Sequence, residues 1–265
     1  MPEGEDERPL RRSREELRDL LIQTGRAILE EEGLSVGAGG LTFKEVFARV
    51  EVATGARVTN ASVIRRVWEN LDEYQTDVLV DIALRADSTG ELDLTLEALA
   101  PLVVASDLST PAARLASLRE LARVGGEVGM TARLESREWY LWIGVWVLGL
   151  TNDLTGRRTN IREALLESFA TMTATWEDLF EGICAHLGLR VRENLTVRQF
   201  TQAVSSMAEG SALRQGGDLA LALIERPTGP GGELQQWTLF GVCLEALAVR
   251  FLEIDPDWSV VPVAA

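Results

Sequence analysis

Asn60, Ser62, Arg65 and Arg66 fall within the stretch TNASVIRRVWEN (59–70), and their side chains suit the hydrogen-bonding edges of nucleobases and phosphates. Asn can pair bidentately with adenine, and Arg with guanine. Thr59, Asn60 and Ser62 stand at the N-terminal end of a short helical pattern, where free backbone N–H groups and the helix dipole favour an anion. Val63, Ile64, Val67 and Trp68 supply an apolar side that can fasten such a helix to a support. Arg65 and Arg66 are neighbours, so they point in different directions and need not share a role. The alternative is a solvated arginine pair on a helix whose other face is core.

Other reactive side chains form no constellation. The single histidine, His186, follows Cys184 by two residues, so the two do not share a helical face, and no third partner is evident. No phosphate loop, dinucleotide fingerprint or zinc-ligand set occurs. Carboxylates are plentiful but spread along solvated helix faces. The sequence therefore points away from an enzyme, with no catalytic residue, metal or cofactor expected. Cys184 and Cys243 read as buried thiols rather than a disulfide.

Helical periodicity dominates the elements that must position these residues. A first helix spans Ser13 to Glu32, with Ser13 as N-cap and Gly33 as its end. Thr42 caps a second, FKEVFARVEVA, which stops near Gly55; a third and short one begins at Thr59 or Asn60, and a fourth opens at Asp72. Further helical segments lie near 94–106, 109–126 and 132–150, and then over IREALLESFATMTATWEDLFEGICAHLG. Another starts at Thr196, and a last one places Trp237, Phe240, Leu244, Leu247 and Phe251 on one face. The Pro- and Gly-rich stretch ERPTGPGGEL (225–234) reads as the clearest mobile loop. GLSVGAGGLTFKEVFARV (33–50) resembles GLRVRENLTVRQFTQAV (188–204) apart from one gap, a match that a shared Leu-Thr helix cap accounts for. Little of the pattern alternates as a strand does, and the expected class is all-α.

The 265 residues suffice for a substantial core, and 46% hydrophobic with 25% charged residues is ordinary for a soluble globular protein. The longest apolar-rich run, WYLWIGVWVLGL (139–150), is too short to cross a membrane, and the N-terminus has no apolar signal core, so a cytoplasmic location is expected. Net charge is −15, unevenly spread. Residues 1–7 carry four acids and no base, residues 8–68 eleven bases and eight acids, and residues 69–265 fifteen bases and twenty-nine acids. A locally basic head on an acidic body suits a protein that meets phosphate at one end only.

Three short helices in that order, the third opening with small polar residues, form the pattern of a helix-turn-helix. Here the chain resembles the TetR family of transcriptional regulators. The resemblance rests on ILEEEGL (28–34), LTFKEVFARV (41–50), NASVIRRVWEN (60–70) and DEYQTDVL (72–79), with a further likeness in LTVRQFTQAVSSMAEGSALR (195–214). Arg65 stands where the family has a tyrosine, and the loop VGAGG and the connection TGARVTN are longer than usual. The resemblance implies a flexible arm (1–12), a helix-turn-helix DNA-binding domain (13–82) and a helical effector-binding and dimerisation domain (83–265). It implies a ligand-responsive repressor that binds a palindromic operator as a homodimer and is released by a small apolar or aromatic effector.

The candidate contacts to double-stranded DNA are Thr42, Lys44, Arg57, Thr59, Asn60, Ser62, Arg65 and Arg66, with Arg11, Arg12 and Arg14 either an arm on phosphate or helix-flanking charge. Trp139, Trp142 and Trp146 share a helical face, which either lines an effector pocket with Phe169, Met172 and Trp176 or belongs to the core. Phe200, Val204 and Met207, together with Trp237, Phe240, Leu244, Leu247 and Phe251, either form the dimer interface or face their own core. The contrasting possibility is a helical ligand- or protein-binding module whose DNA head does not work.

Overall fold

Capping residues delimit the N-terminal helices where the sequence places them. The computed structural model describes residues 13–34, 40–55, 58–59, 63, 66–85, 90–150, 157–216, 223–228 and 232–259. Helix α1 (Arg14–Glu32) opens on a reciprocal capping box: Ser13 Oγ accepts from Glu16 N, and Glu16 Oε2 accepts from Ser13 N at 2.7 Å. Thr42 caps α2 (Phe43–Thr54), which ends on Gly55 in the left-handed conformation. Asn70 caps α3 (Leu71–Ala83) by accepting from Glu73 N. Between α2 and α3, Val63 N donates to Thr59 O and Val67 N to Val63 O at 2.8 Å, the i→i−4 spacing of a helix.

These elements, together with α6 (Arg137–Leu150) and the first part of α7 (Arg157–Leu187), belong to one compact unit, Met1–Ala86 with Arg137–Ser168. The unit that holds the 13–82 head is therefore larger than that head and includes the tryptophan-rich α6. Its core is built around Tyr74, fully buried between Phe43 and Trp68, with ring centroids 5.2 and 4.9 Å away. Tyr74 Oη donates to Leu21 O across to α1 at 2.8 Å. Gly25, one turn on from Leu21, permits this approach, because a Cβ there would overlap the Tyr74 hydroxyl.

The second unit, Asp87–Ser136 with Phe169–Ala265, contains α4 (Glu91–Val104), α5 (Pro111–Glu135), the rest of α7, α8 (Val197–Gln215) and α9 (Leu239–Phe251). The break expected between 126 and 132 does not occur. Helix α5 runs unbroken through Gly125, Gly126 and Gly129 and ends only at Ser136. Glycine weakens a helix by about 1 kcal/mol relative to alanine, but here it allows a close crossing. A Cβ on Gly126 would lie 2.8 Å from Gly241 Cα on α9.

Among the described residues the helices are joined by four short strands, so the structure is mostly helical rather than wholly so. Strands β1 (Leu189–Val191) and β4 (Leu252–Ile254) pair antiparallel, as do β2 (Leu223–Thr228) and β3 (Glu233–Thr238). The stretch expected to be a mobile loop thus supplies the ends of a hairpin, with Pro227 opposite Leu234 in a two-stranded ribbon that tolerates a missing donor. Trp237 is correspondingly on β3 and not on the last helix. It is 1% exposed, its Nε1 donates to Thr228 Oγ1 at 2.8 Å, and Arg226 stacks over its ring.

The likeness between 33–50 and 188–204 resolves into shared punctuation. Gly33 and Gly188 both have positive φ, and Thr42 and Thr196 both cap the helix that follows.

Candidate functional site

The described bases of the N-terminal head divide into two groups. Arg18 pairs with Asp77 at 2.9 Å, Arg26 with Asp81 at 2.8 Å and Arg49 with Glu31 at 2.7 Å. Arg14, Lys44 and Arg66 are exposed and form no ion pair among the described residues. Those three are the described ones among the bases assigned to DNA from the sequence. Thr42 and Thr59 are also exposed, although Thr42 Oγ1 is occupied as a helix cap. Arg11, Arg12, Arg57, Asn60, Ser62 and Arg65 lie outside the described residues.

The anchoring side of the same stretch is well formed. Val63 is 0% exposed, and Trp68 is buried with its Nε1 donating to Asp77 Oδ2 at 2.8 Å. Asp77 therefore receives both Trp68 and Arg18, joining α1, α3 and the segment that carries Arg66. An exposed unpaired arginine two residues before a buried tryptophan can meet a phosphate without disturbing its support.

The tryptophan face on α6 is core. Trp139 and Trp142 are buried, Trp142 Nε1 donates to Ala83 O at 3.1 Å, and Trp146 is half-buried. Of the six residues proposed for the pocket, Trp176 lines an apolar cavity of the second unit, and the other five are not in its lining.

That cavity has a volume of about 80 Å³. Leu99 on α4, Leu118 on α5, Trp176 and Phe180 on α7, Phe200 on α8 and Leu244 on α9 give it an apolar body. Phe200 meets Phe180 edge-on at 5.0 Å and Phe251 at 5.5 Å. Phe200, Val204, Trp237 and Phe240 are buried within their own unit, one of the two roles their sequence pattern leaves open. Met207, Leu244, Leu247 and Phe251 are half-buried.

One end of the cavity is polar. Glu91, Thr95 and Leu99 recur every fourth residue on α4 and face Gly125, Gly129 and Arg133, which recur likewise on α5. The two glycines leave room beside Leu99, Thr95 and Glu91. Arg133 Nε donates to Glu91 Oε2 at 2.6 Å, and the guanidinium also acts on Glu209. Burial pushes the Glu209 carboxyl above its ordinary range, Arg133 opposes the shift and Glu91 adds to it.

Cys184 lines the cavity, but burial and the charge of Glu181 push its thiol up to about 11, so it is protonated at neutral pH. His186 Nε2 lies 2.9 Å from Val103 O. Among the described residues no three metal-ligating side chains gather, and no helix is long and apolar enough to cross a membrane.

Sequence reasoning missed the Glu91–Thr95–Arg133 group. Its only signal was the i, i+4 spacing on each helix; the contact between the helices is a product of the fold.

A mostly helical chain, with exposed bases that form no ion pair among the described residues of one unit and a largely apolar cavity in the other, is the class that fold and site define. Compared with protein-family models, curated proteins and solved structures, the chain matches none.

Proposed function

We propose that the protein is a ligand-responsive transcriptional regulator, a repressor acting in the cytoplasm, which binds a palindromic DNA site as a homodimer and releases it when a small effector occupies the second unit. The observation that carries this is the division of bases on the head. Arg18, Arg26 and Arg49 are matched by acids, whereas Arg14, Lys44 and Arg66 are exposed and form no ion pair among the described residues. On a chain of net charge −15, exposed bases within residues 14–66 support a reading in which that end meets phosphate. The resemblance in ILEEEGL, LTFKEVFARV and NASVIRRVWEN supports the same reading.

A dimer follows from geometry, since one recognition helix reads only a few base pairs and two half-sites lie one helical turn apart. Because Phe200, Val204, Trp237 and Phe240 are buried within the single chain, we place the proposed dimer contact on other surfaces. Release is a population shift: effector binding favours a spacing of the two heads that does not fit adjacent grooves.

The test is selection of random duplex DNA by the purified protein, with the winners rebound across a salt series. A palindrome with half-sites one turn apart is expected, with affinity falling steeply as salt rises. If folded, ligand-free protein enriches nothing, the reading fails. The second possibility, a helical ligand-binding module without DNA recognition, is favoured by the cavity and its polar end.

A further inference from the structure

The polar end of the cavity presents two hydrogen-bond donors that the fold leaves unused. Arg133 is 4% exposed, and while its Nε is engaged by Glu91, its Nη1 has no hydrogen-bond partner among the described residues. Thr95 is 3% exposed, and its Oγ1 also has none. Both residues line the same cavity, one on each of the two facing helices. Buried polar groups are nearly always satisfied, so two unsatisfied ones together in a cavity wall call for an explanation.

We propose that the cavity binds a small uncharged molecule with an apolar body and one carbonyl oxygen, that oxygen accepting from Arg133 Nη1 and Thr95 Oγ1. This names the effector class within the regulator reading and rests on it only for the consequence of binding. The oxygen is identified by the donors. A guanidinium N–H can only donate, a threonine hydroxyl can donate, and a carbonyl oxygen offers two lone pairs.

The neutrality is identified by charge. Glu91 already compensates Arg133 at 2.6 Å, and the carboxyl of Glu209 also lies within the field of that arginine. A carboxylate ligand would add an uncompensated buried charge to this group. The apolar body is identified by Leu99, Leu118, Trp176, Phe180 and Phe200. Size is limiting: about 80 Å³ is roughly half of an engineered cavity that takes up benzene, so a short molecule of about four or five non-hydrogen atoms is the upper bound.

The experiment titrates the full chain, without DNA, with the near-isosteric acetone, acetate and isobutene, followed by ligand-detected NMR. Acetone is expected to bind most tightly. Thr95→Val should weaken it about tenfold, the size of one lost hydrogen bond. Arg133→Lys, which keeps the charge beside Glu91 but removes the donor at the Nη1 position, should act similarly. Ala208→Leu, which fills the cavity from α8, should abolish binding while the helical circular dichroism is retained.

Tighter binding of the carboxylate would overturn the neutral head. Equal binding of isobutene, or a Thr95→Val variant that binds as the parent does, would overturn the polar anchor. Absence of binding by all three would overturn the site. Because no DNA is present, these outcomes are independent of the operator selection. Thr95→Val alone decides the question should Arg133→Lys fail to fold.

Discussion

Gly25→Ala probes the clamp that holds the head together, and its sign is set by one contact. At an open position in a helix, alanine is favoured over glycine by about 1 kcal/mol. At Gly25 the new Cβ would overlap Tyr74 Oη and come within 3.1 Å of Val78 Cγ2 and 3.2 Å of Leu41 Cδ2. Tyr74 has no room to withdraw, since it is fully buried, hydrogen-bonded to Leu21 O and packed on Phe43 and Trp68. Overpacking of this kind costs about 1–3 kcal/mol, and losing the hydrogen bond about 1 kcal/mol more. Set against the gain in helix propensity, the substitution should destabilise the chain by about 1–3 kcal/mol.

Tyr74→Phe removes the hydroxyl and should cost about 1 kcal/mol on its own. In that background the nearest obstacle to the alanine Cβ is gone. The two remaining contacts are with methyl groups at side-chain ends, so Gly25→Ala should become close to neutral. The two substitutions should therefore couple by about 1–3 kcal/mol, read from urea midpoints of the parent, both single variants and the double variant. If they add to within about 0.5 kcal/mol, Gly25 and Tyr74 do not meet and the packing argument for the head is refuted.

Burial raises the Tyr74 phenol, so the native state holds that proton more tightly than the unfolded chain; stability is full below about pH 10 and falls as pH rises above it, and Tyr74→Phe should flatten that fall in urea midpoints across the range. Burial likewise raises the Glu209 carboxyl, so its contribution is full below the ordinary glutamate range and is lost as pH rises through the raised value. Glu209→Gln should accordingly be more stable than the parent at about pH 7 but not at about pH 4, and the opposite order would show that its attraction to Arg133 dominates. Arg66→Ala should weaken DNA binding and lower the salt slope by about 1 at unchanged Tm, whereas Arg18→Ala, with Arg18 already paired to Asp77, should leave the slope unchanged. Trp68→Ala should instead destabilise the chain by about 3–5 kcal/mol, because Trp68 is buried against Tyr74 and bound to Asp77.

Local punctuation made much of the helical layout legible. Ser13, Thr42 and Thr196 each satisfy a backbone N–H at a helix start, and Gly33 and Gly55 each end a helix with positive φ, so their positions can be read from neighbouring residues alone. Where tertiary contact overrides local preference, the sequence misleads. VGGEVGM reads as a break, yet it stays helical because Gly126 is needed for the crossing with Gly241. ERPTGPGGEL reads as a loop, but Trp237 packing and its bond to Thr228 hold the flanks as paired strands. The tryptophan stripe of α6 and the stripes of α8 and α9 were legible as apolar faces. Which neighbour each face covers depends on the arrangement of helices, and no spacing encodes that.

The cavity shows why a binding site can be invisible in a sequence whose helices are plain. Its walls come from α4, α5, α7, α8, α9 and β4, and its one decisive contact, Arg133 to Glu91, joins residues 42 positions apart. Each residue by itself has an ordinary role: a glutamate in the first turn of one helix, an arginine in the last turn of another, both favourable to the helix dipole. Glycines at 125 and 129 look like faults in a helix until α4 is laid beside them. Chemistry arises only when the two stripes meet, because burial then turns a surplus guanidinium N–H and a threonine hydroxyl from solvated groups into unmet donors. A head read from charge and a cavity read from unmet hydrogen bonds are thus separate inferences. The protein can fail as a DNA-binding regulator and still hold its ligand, which is why the two are measured apart.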